Sequence, residues 1–154
     1  MKQKVLAMLM AVALCMTCIG FVDFETKAED MAEDISFSEL MTENALVGVM
    51  ESQTWGVYLL DGYSIINKIS STKIGAGGVT NAAKKCKVTT SAIVERLSGG
   101  SWLRVTSWTT TVESGYSAGV SKSLTVTTGY NYRVRCVHYA ATDTSSSFTS
   151  NLYM

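Results

Sequence analysis

Between residues 63 and 153 the chain reads as seven short runs rich in Thr, Ser, Val and Tyr, separated by turn signals and never interrupted by proline. That spacing constrains the fold more than any other feature, because short alternating strands punctuated every eight to twelve residues suit a two-sheet antiparallel sandwich. The runs fall at about 63–69, 73–80, 87–97, 102–111, 117–127, 130–140 and 147–153. They predict an all-β, seven-stranded sandwich of immunoglobulin/fibronectin-III-like type. Ser98-Gly99-Gly100 predicts a hairpin between the third and fourth runs, and Gly129 marks another turn. The second run carries Gly75, Gly77 and Gly78, which points to a bulge, an edge strand or a close backbone approach.

The N-terminus has a different texture. Lys2 and Lys4 precede an apolar run of about sixteen residues ending at Gly20. This is short of the roughly twenty residues of a membrane span and fits a secretory signal, with an uncleaved anchor as the alternative. Small residues at Thr26 and Ala28 place the expected cleavage after Ala28. Leu14 before Cys15 and Thr17 before Cys18 do not offer the small-residue context of lipid modification. The expected organisation is a signal peptide at 1–28, an acidic flexible leader at 29–54 with at most one short helix, and a β-sandwich at 55–154. The chain is then expected to be secreted or extracellular, with any cell-surface association beyond the signal left open.

The formal net charge of zero conceals a division. Residues 29–51 hold seven acids and no Lys or Arg, whereas the ten bases and four acids from Trp55 onward leave about +6. A leader packed against the basic body is therefore the alternative to a flexible one. The bases are scattered, which argues against nucleic acid.

Export would leave two cysteines, Cys86 and Cys136. In an oxidising exterior they could pair, closing a loop of about fifty residues, and geometry decides whether they do. Gly129–Ala141, "GYNYRVRCVHYAA", contains Cys136 and the only histidine. Written as a strand, it puts Tyr130, Tyr132, Val134, Cys136 and His138 on one face and Asn131, Arg133, Arg135, Val137 and Tyr139 on the other. The first face reads as core, with Cys136 a small buried residue and His138, near the strand end, partly exposed. A Cys136–His138 nucleophile and base would stand some 7 Å apart, with no carboxylate at a spacing that orients the ring. Zinc on Cys86, Cys136 and His138 lacks a fourth ligand and any ligand spacing. The chain also has no nucleophile elbow, phosphate loop or calcium loop. No cofactor and no metal are expected.

The segment from Ile74 to Trp108, together with "SKSLTVTTGYNYRVRCVHYA" and "TSSSFTSNLYM", resembles an uncharacterised family of small secreted proteins of Gram-positive bacteria, the domain of unknown function 6147. The resemblance covers about residues 63–154, with "VERLSGGSW" and "GYNYRVRCVHYA" its most specific pieces. It implies export, a β-sandwich and no established activity, and it brings no catalytic residues. Tyr132-Arg133-Val134-Arg135 is also loosely similar to fibronectin type III and immunoglobulin domains. Cys86 and Trp102 do not, however, fall on the strands where antibody-type domains carry their disulfide and tryptophan.

Two functions compete. One is an exported, non-catalytic binding or structural module whose Arg133, Arg135, Tyr139 and Tyr116 offer stacking and anion contacts to a glycan, a cell-wall polymer or another extracellular protein. The other is a small secreted enzyme or inhibitor using His138. A third reading is an effector whose acidic leader is removed by a second cleavage.

Overall fold

The computed structural model describes residues 32–50 and 56–154. The expected signal segment lies outside them. The described chain runs β1 (Glu33–Asp34), α1 (Phe37–Leu40), β2 (Leu46–Val49), β3 (Leu59–Lys68), β4 (Lys73–Ser98), β5 (Ser101–Thr125), β6 (Asn131–Ala140), β7 (Asp143–Phe148) and β8 (Leu152–Tyr153). All pairings are antiparallel.

The fold is the expected all-β sandwich, with two corrections to the strands: the seventh run, expected at 147–153, is split into β7 and β8 with residues 149–151 between them, and four of the other runs merge in pairs. The second and third runs form one 26-residue strand, β4, and the fourth and fifth form one 25-residue strand, β5. The turn signals between them bend the strands without breaking them. Register slips between Asn81 and Cys86 and again before Val88, so the two strands turn the corner together and stay paired on both sides of it. Their first and second halves thereby enter different layers. The back layer is β2, β3, residues 73–82 of β4, residues 117–125 of β5, and β1. The front layer is residues 101–112 of β5, residues 86–98 of β4, β6, and β7 with β8.

Lettered in chain order from β3, the segments A, B and E share one sheet while C, F and G share the other, as in an immunoglobulin-type sandwich, but the fourth segment, residues 101–112, pairs with C in the front sheet and not with E, where such a sandwich places its D strand. A second hallmark accompanies it. Tyr132 lies at the start of the F segment, and its hydroxyl donates to the Thr127 carbonyl at 2.7 Å, the geometry of a tyrosine corner. The hairpin at Gly99 and Gly100 is also as expected, with φ of 57° and 81° where a side chain would be strained.

Burial follows the strand parity. Ile66, Ile74, Val94, Leu124, Tyr132 and Val134 form the main core, and Ala82, Val88, Ala118 and Ala140 form a smaller cluster under the bend. Between the two lies a polar layer of Thr80, Thr90 and His138, all at 0% exposure.

The glycine-rich run is neither an edge nor a bulge. It is central in the back sheet, between β3 and β5, and its glycines serve close approach. A Cβ on Gly77 would come within 2.9 Å of Leu40 and collide with the Val120 carbonyl, so the sheet can carry a helix directly on its backbone.

That helix belongs to the acidic leader, whose expected flexibility does not hold for residues 32–50. The segment crosses the outer surface of the back sheet as a strap. β1 pairs with β5 at one edge, and Glu33 and Asp34 meet Lys73 and Lys122 at 2.6 and 2.9 Å. A capping box between Ser36 and Glu39 then starts α1. Leu40 is fully buried over Gly75 and Gly77, and β2 pairs with β3 at the opposite edge. The sandwich therefore begins well before residue 55. The physical reason is burial: one leucine on a glycine bed, with two strand pairings, outweighs the polar composition that suggested a tether.

Candidate functional site: the outer face of the front sheet

The residues expected to form a binding surface occupy the solvent side of the front sheet, with one exception. Arg133 and Arg135 stand on β6 and converge on one acid. The Arg133 Nε donates to Glu95 Oε2 at 2.7 Å, and the Arg135 Nε donates to Glu95 Oε1 at 3.2 Å. Glu95 is only 7% exposed, so the carboxylate is held between two guanidinium groups. Register explains the arrangement, because Glu95 on β4 lies opposite Arg133 on β6. The pair keeps one net positive charge, and both arginines are oriented rather than free.

Aromatic rings complete the cluster. The Arg133 guanidinium stacks 4.3 Å from the centroid of Trp102 and 5.1 Å from that of Phe148. Neither ring was among the residues expected on the binding surface. Trp102 reaches this face because β5 carries an extra residue between the partners of Val94 and Glu95, and that bulge reverses the strand's parity. Simple alternation along 102–111 would have sent it to the other face. Phe148 is signalled only by register, since it pairs with Arg135.

Further along the face, the chemistry becomes hydroxylic. Thr89 and Thr111 share a hydrogen bond of 2.9 Å across β4 and β5, and Ser91 and Thr109 share one of 2.8 Å. Tyr139 is exposed beside them, in register with Thr89 and Thr144. Tyr116 is not part of this face. It lies at the corner of β5, between the residues paired with Cys86 and Asn81, and is 60% exposed there.

The candidate chemistry of the opposite parity is interior. His138 is fully buried, which corrects its expected partial exposure, since its face turns inward and Gly62 of the back sheet packs directly against the ring. Its Nδ1 lies 2.8 Å from the Thr80 hydroxyl and its Nε2 lies 2.8 Å from the Ser147 hydroxyl. Thr90 has one proton and two oxygens in range, Thr80 Oγ1 at 2.6 Å and the Ala118 carbonyl at 2.7 Å. The Thr80 hydroxyl in turn donates to the Thr89 carbonyl at 3.2 Å, so both ring nitrogens and every hydroxyl of this layer have hydrogen-bond partners inside the sandwich. Burial lowers the histidine pKa to about 4, against a smaller opposing effect of Asp61.

Cys136 is equally enclosed, and burial pushes its thiol up to about 12. Both cysteines are free, which settles the open pairing. Cys136 is in register with Ala92, six residues along β4 from Cys86, a separation on the order of 20 Å where a disulfide needs its Cα atoms within about 7 Å. Among the described residues, no group of three or more His, Cys, Asp or Glu side chains is placed to hold a metal ion. None of the described helices is long and apolar enough to cross a membrane.

No family model, curated protein or solved structure matches this chain.

Proposed function

We propose that the protein is an exported, non-catalytic binding module that takes a glycan or cell-wall polymer on the outer face of its front sheet. The observation that carries this reading is the Trp102–Arg133–Phe148 stack, locked by Glu95 and continuous with rows of Thr and Ser hydroxyls. A sugar ring presents an apolar face and a rim of hydroxyls. Rigid aromatic and guanidinium planes suit the first, and fixed side-chain hydroxyls suit the second. The Cys136–His138 pair on which an enzyme would draw lies inside the sandwich instead, with both imidazole nitrogens engaged by hydroxyls. Export rests on the two lysines and the apolar run at the N-terminus, and kinship with the domain of unknown function 6147 belongs to the same proposal.

The test is an array of glycans and wall polymers probed with the protein and with Trp102→Ala. Binding that falls at least about tenfold with this variant, while the melting temperature is unchanged, supports the reading; loss of a central aromatic anchor typically has that size. Binding indifferent to Trp102, or no binding to any saccharide, overturns it.

A further inference from the structure

The front sheet ends in a strand edge that pairs with no described strand, and Asp34, Ile35 and Phe37 of the strap line a groove beside its Trp108–Thr110 stretch. Residues 101–112 of β5 pair with β4 on one side, from Ser98↔Ser101 to Val88↔Val112, and with no strand on the other among the described residues. Edges invite pairing, and proteins that remain monomeric blunt them with shortness, charge, proline or a covering element. The other edges here are blunted. β2 has four residues, β7 has six, and β1 covers β5 at Lys122 and Ser123. Residues 105–112, "VTSWTTTV", are long, uncharged and strongly β-favouring. Two buried polar atoms of this stretch, Thr106 Oγ1 and Trp108 Nε1, also have no hydrogen-bond partner within the chain.

We propose that this edge pairs with the same edge of a second copy of the chain, antiparallel, about a two-fold axis through Thr109. The sequence is self-complementary in that register. Thr109 meets its own copy, and Ser107 meets Thr111, on the outer face. Trp108 meets Thr110 on the inner face, where the threonine hydroxyl offers the indole N–H an acceptor. These are β-branched, hydroxyl and aromatic cross-strand pairs of the favourable kind. Charge selects a second copy over an unrelated peptide. The bulge after Arg104 returns that side chain to the outer face, beside Glu113 of the other chain. Because the contact is two-fold, this opposite-charge pair forms twice. Glu113 Oε1 lies 2.9 Å from Lys87 within its own chain, and its second oxygen remains for the arginine. This inference is independent of the glycan reading, since it concerns the edge rather than the face.

Sedimentation equilibrium over a concentration series tests it. The protein is expected to show a monomer–dimer equilibrium, and Thr109→Lys, which sets two like charges on the axis, is expected to weaken it at least tenfold. Thr109 is exposed and bonds only to Ser91 through its side chain, so the fold, followed by circular dichroism, should persist. Arg104→Glu and Glu113→Arg should each weaken the dimer, and the two together should restore it. A protein that is monomeric throughout, a dimer indifferent to Thr109→Lys, or a charge swap without recovery each overturns the proposal.

Discussion

Cys136 on β6 faces Gly78 on β4 across the sandwich, and its Sγ donates to the neighbouring Gly77 carbonyl at 3.4 Å. These are the B and F segments, which antibody-type domains join by a disulfide. Here the second half-cystine is replaced by a glycine whose missing side chain makes room for the thiol. A Cβ on Gly78 would meet both Sγ and the Tyr63 carbonyl, so the layers sit closer than a bridged pair would allow.

The thiols should therefore behave as two separate groups. Denatured without reductant, the protein is expected to yield both Cys86 and Cys136 as free thiols. In the folded state only Cys86, partly exposed at the bend, should react at neutral pH. Cys136 lacks both access and thiolate, its pKa being pushed up to about 12. Equal native reactivity of the two, or neither Cys86 nor Cys136 found as a free thiol after denaturation, would contradict this arrangement.

The strap gives a prediction that separates burial from charge. Leu40→Ala removes the side chain seated on Gly75 and Gly77 and should cost about 2–4 kcal/mol, with faster proteolysis within residues 32–50. Glu33→Gln and Asp34→Asn break ion pairs whose acids are largely exposed, and each should change stability by less than about 1 kcal/mol. Urea midpoints for the three variants decide the ranking. A charge variant costing as much as the leucine variant would mean that electrostatics holds the strap.

Much of this was legible because local signals agreed with the global fold. Parity along Gly129–Ala141 separated Tyr132, Val134 and Cys136 from Arg133 and Arg135 correctly, since an uninterrupted strand keeps its period of two. The failures lie where pairing overrides local pattern. Residues 81–86 and 113–117 look like breaks but bend, because β4 and β5 support each other through the corner. Trp102 was lost to a one-residue bulge, which has no signature in alternation alone. The burial of Leu40 has no local signature, because it depends on glycines that follow it by more than thirty residues. The convergence of Arg133 and Arg135 on Glu95 likewise depends on register between two distant strands.

The tyrosine corner can be divided into its ring and its hydroxyl. Tyr132→Phe keeps the buried ring and removes the bond to Thr127, so it should cost about 1 kcal/mol. Tyr132→Ala also empties the centre of the core and should cost about 3 kcal/mol or more. Denaturant midpoints give both values. Equal losses would mean that the hydroxyl carries the whole contribution and the ring none, contrary to its 1% exposure.

His138 makes stability depend on pH in a window set by its own titration. It is the only histidine in the chain, and its pKa falls from an ordinary 6.5 to about 4 on folding, chiefly through burial. Between these values the unfolded chain binds a proton that the folded one refuses, so protonation favours unfolding. The contribution is fully present above about pH 6.5 and is lost as pH falls toward 4. At roughly 1.4 kcal/mol for each pH unit between the two values, the loss approaches about 3 kcal/mol. Asp143 and Glu39, whose pKa values are lowered by hydrogen bonds from the Tyr58 amide and from Ser36 respectively, act below the ordinary carboxylate range and leave most of the window to His138. Urea midpoints measured from pH 7.5 to 4.5 should decline accordingly. His138→Gln should cost about 1 kcal/mol at pH 7 for an imperfectly replaced hydrogen bond, flatten the decline, and leave binding on the outer face unchanged. A wild-type midpoint equal at both ends of the range would mean that the folded ring accepts a proton, and that the Thr80–His138–Ser147 chain rearranges to accommodate it.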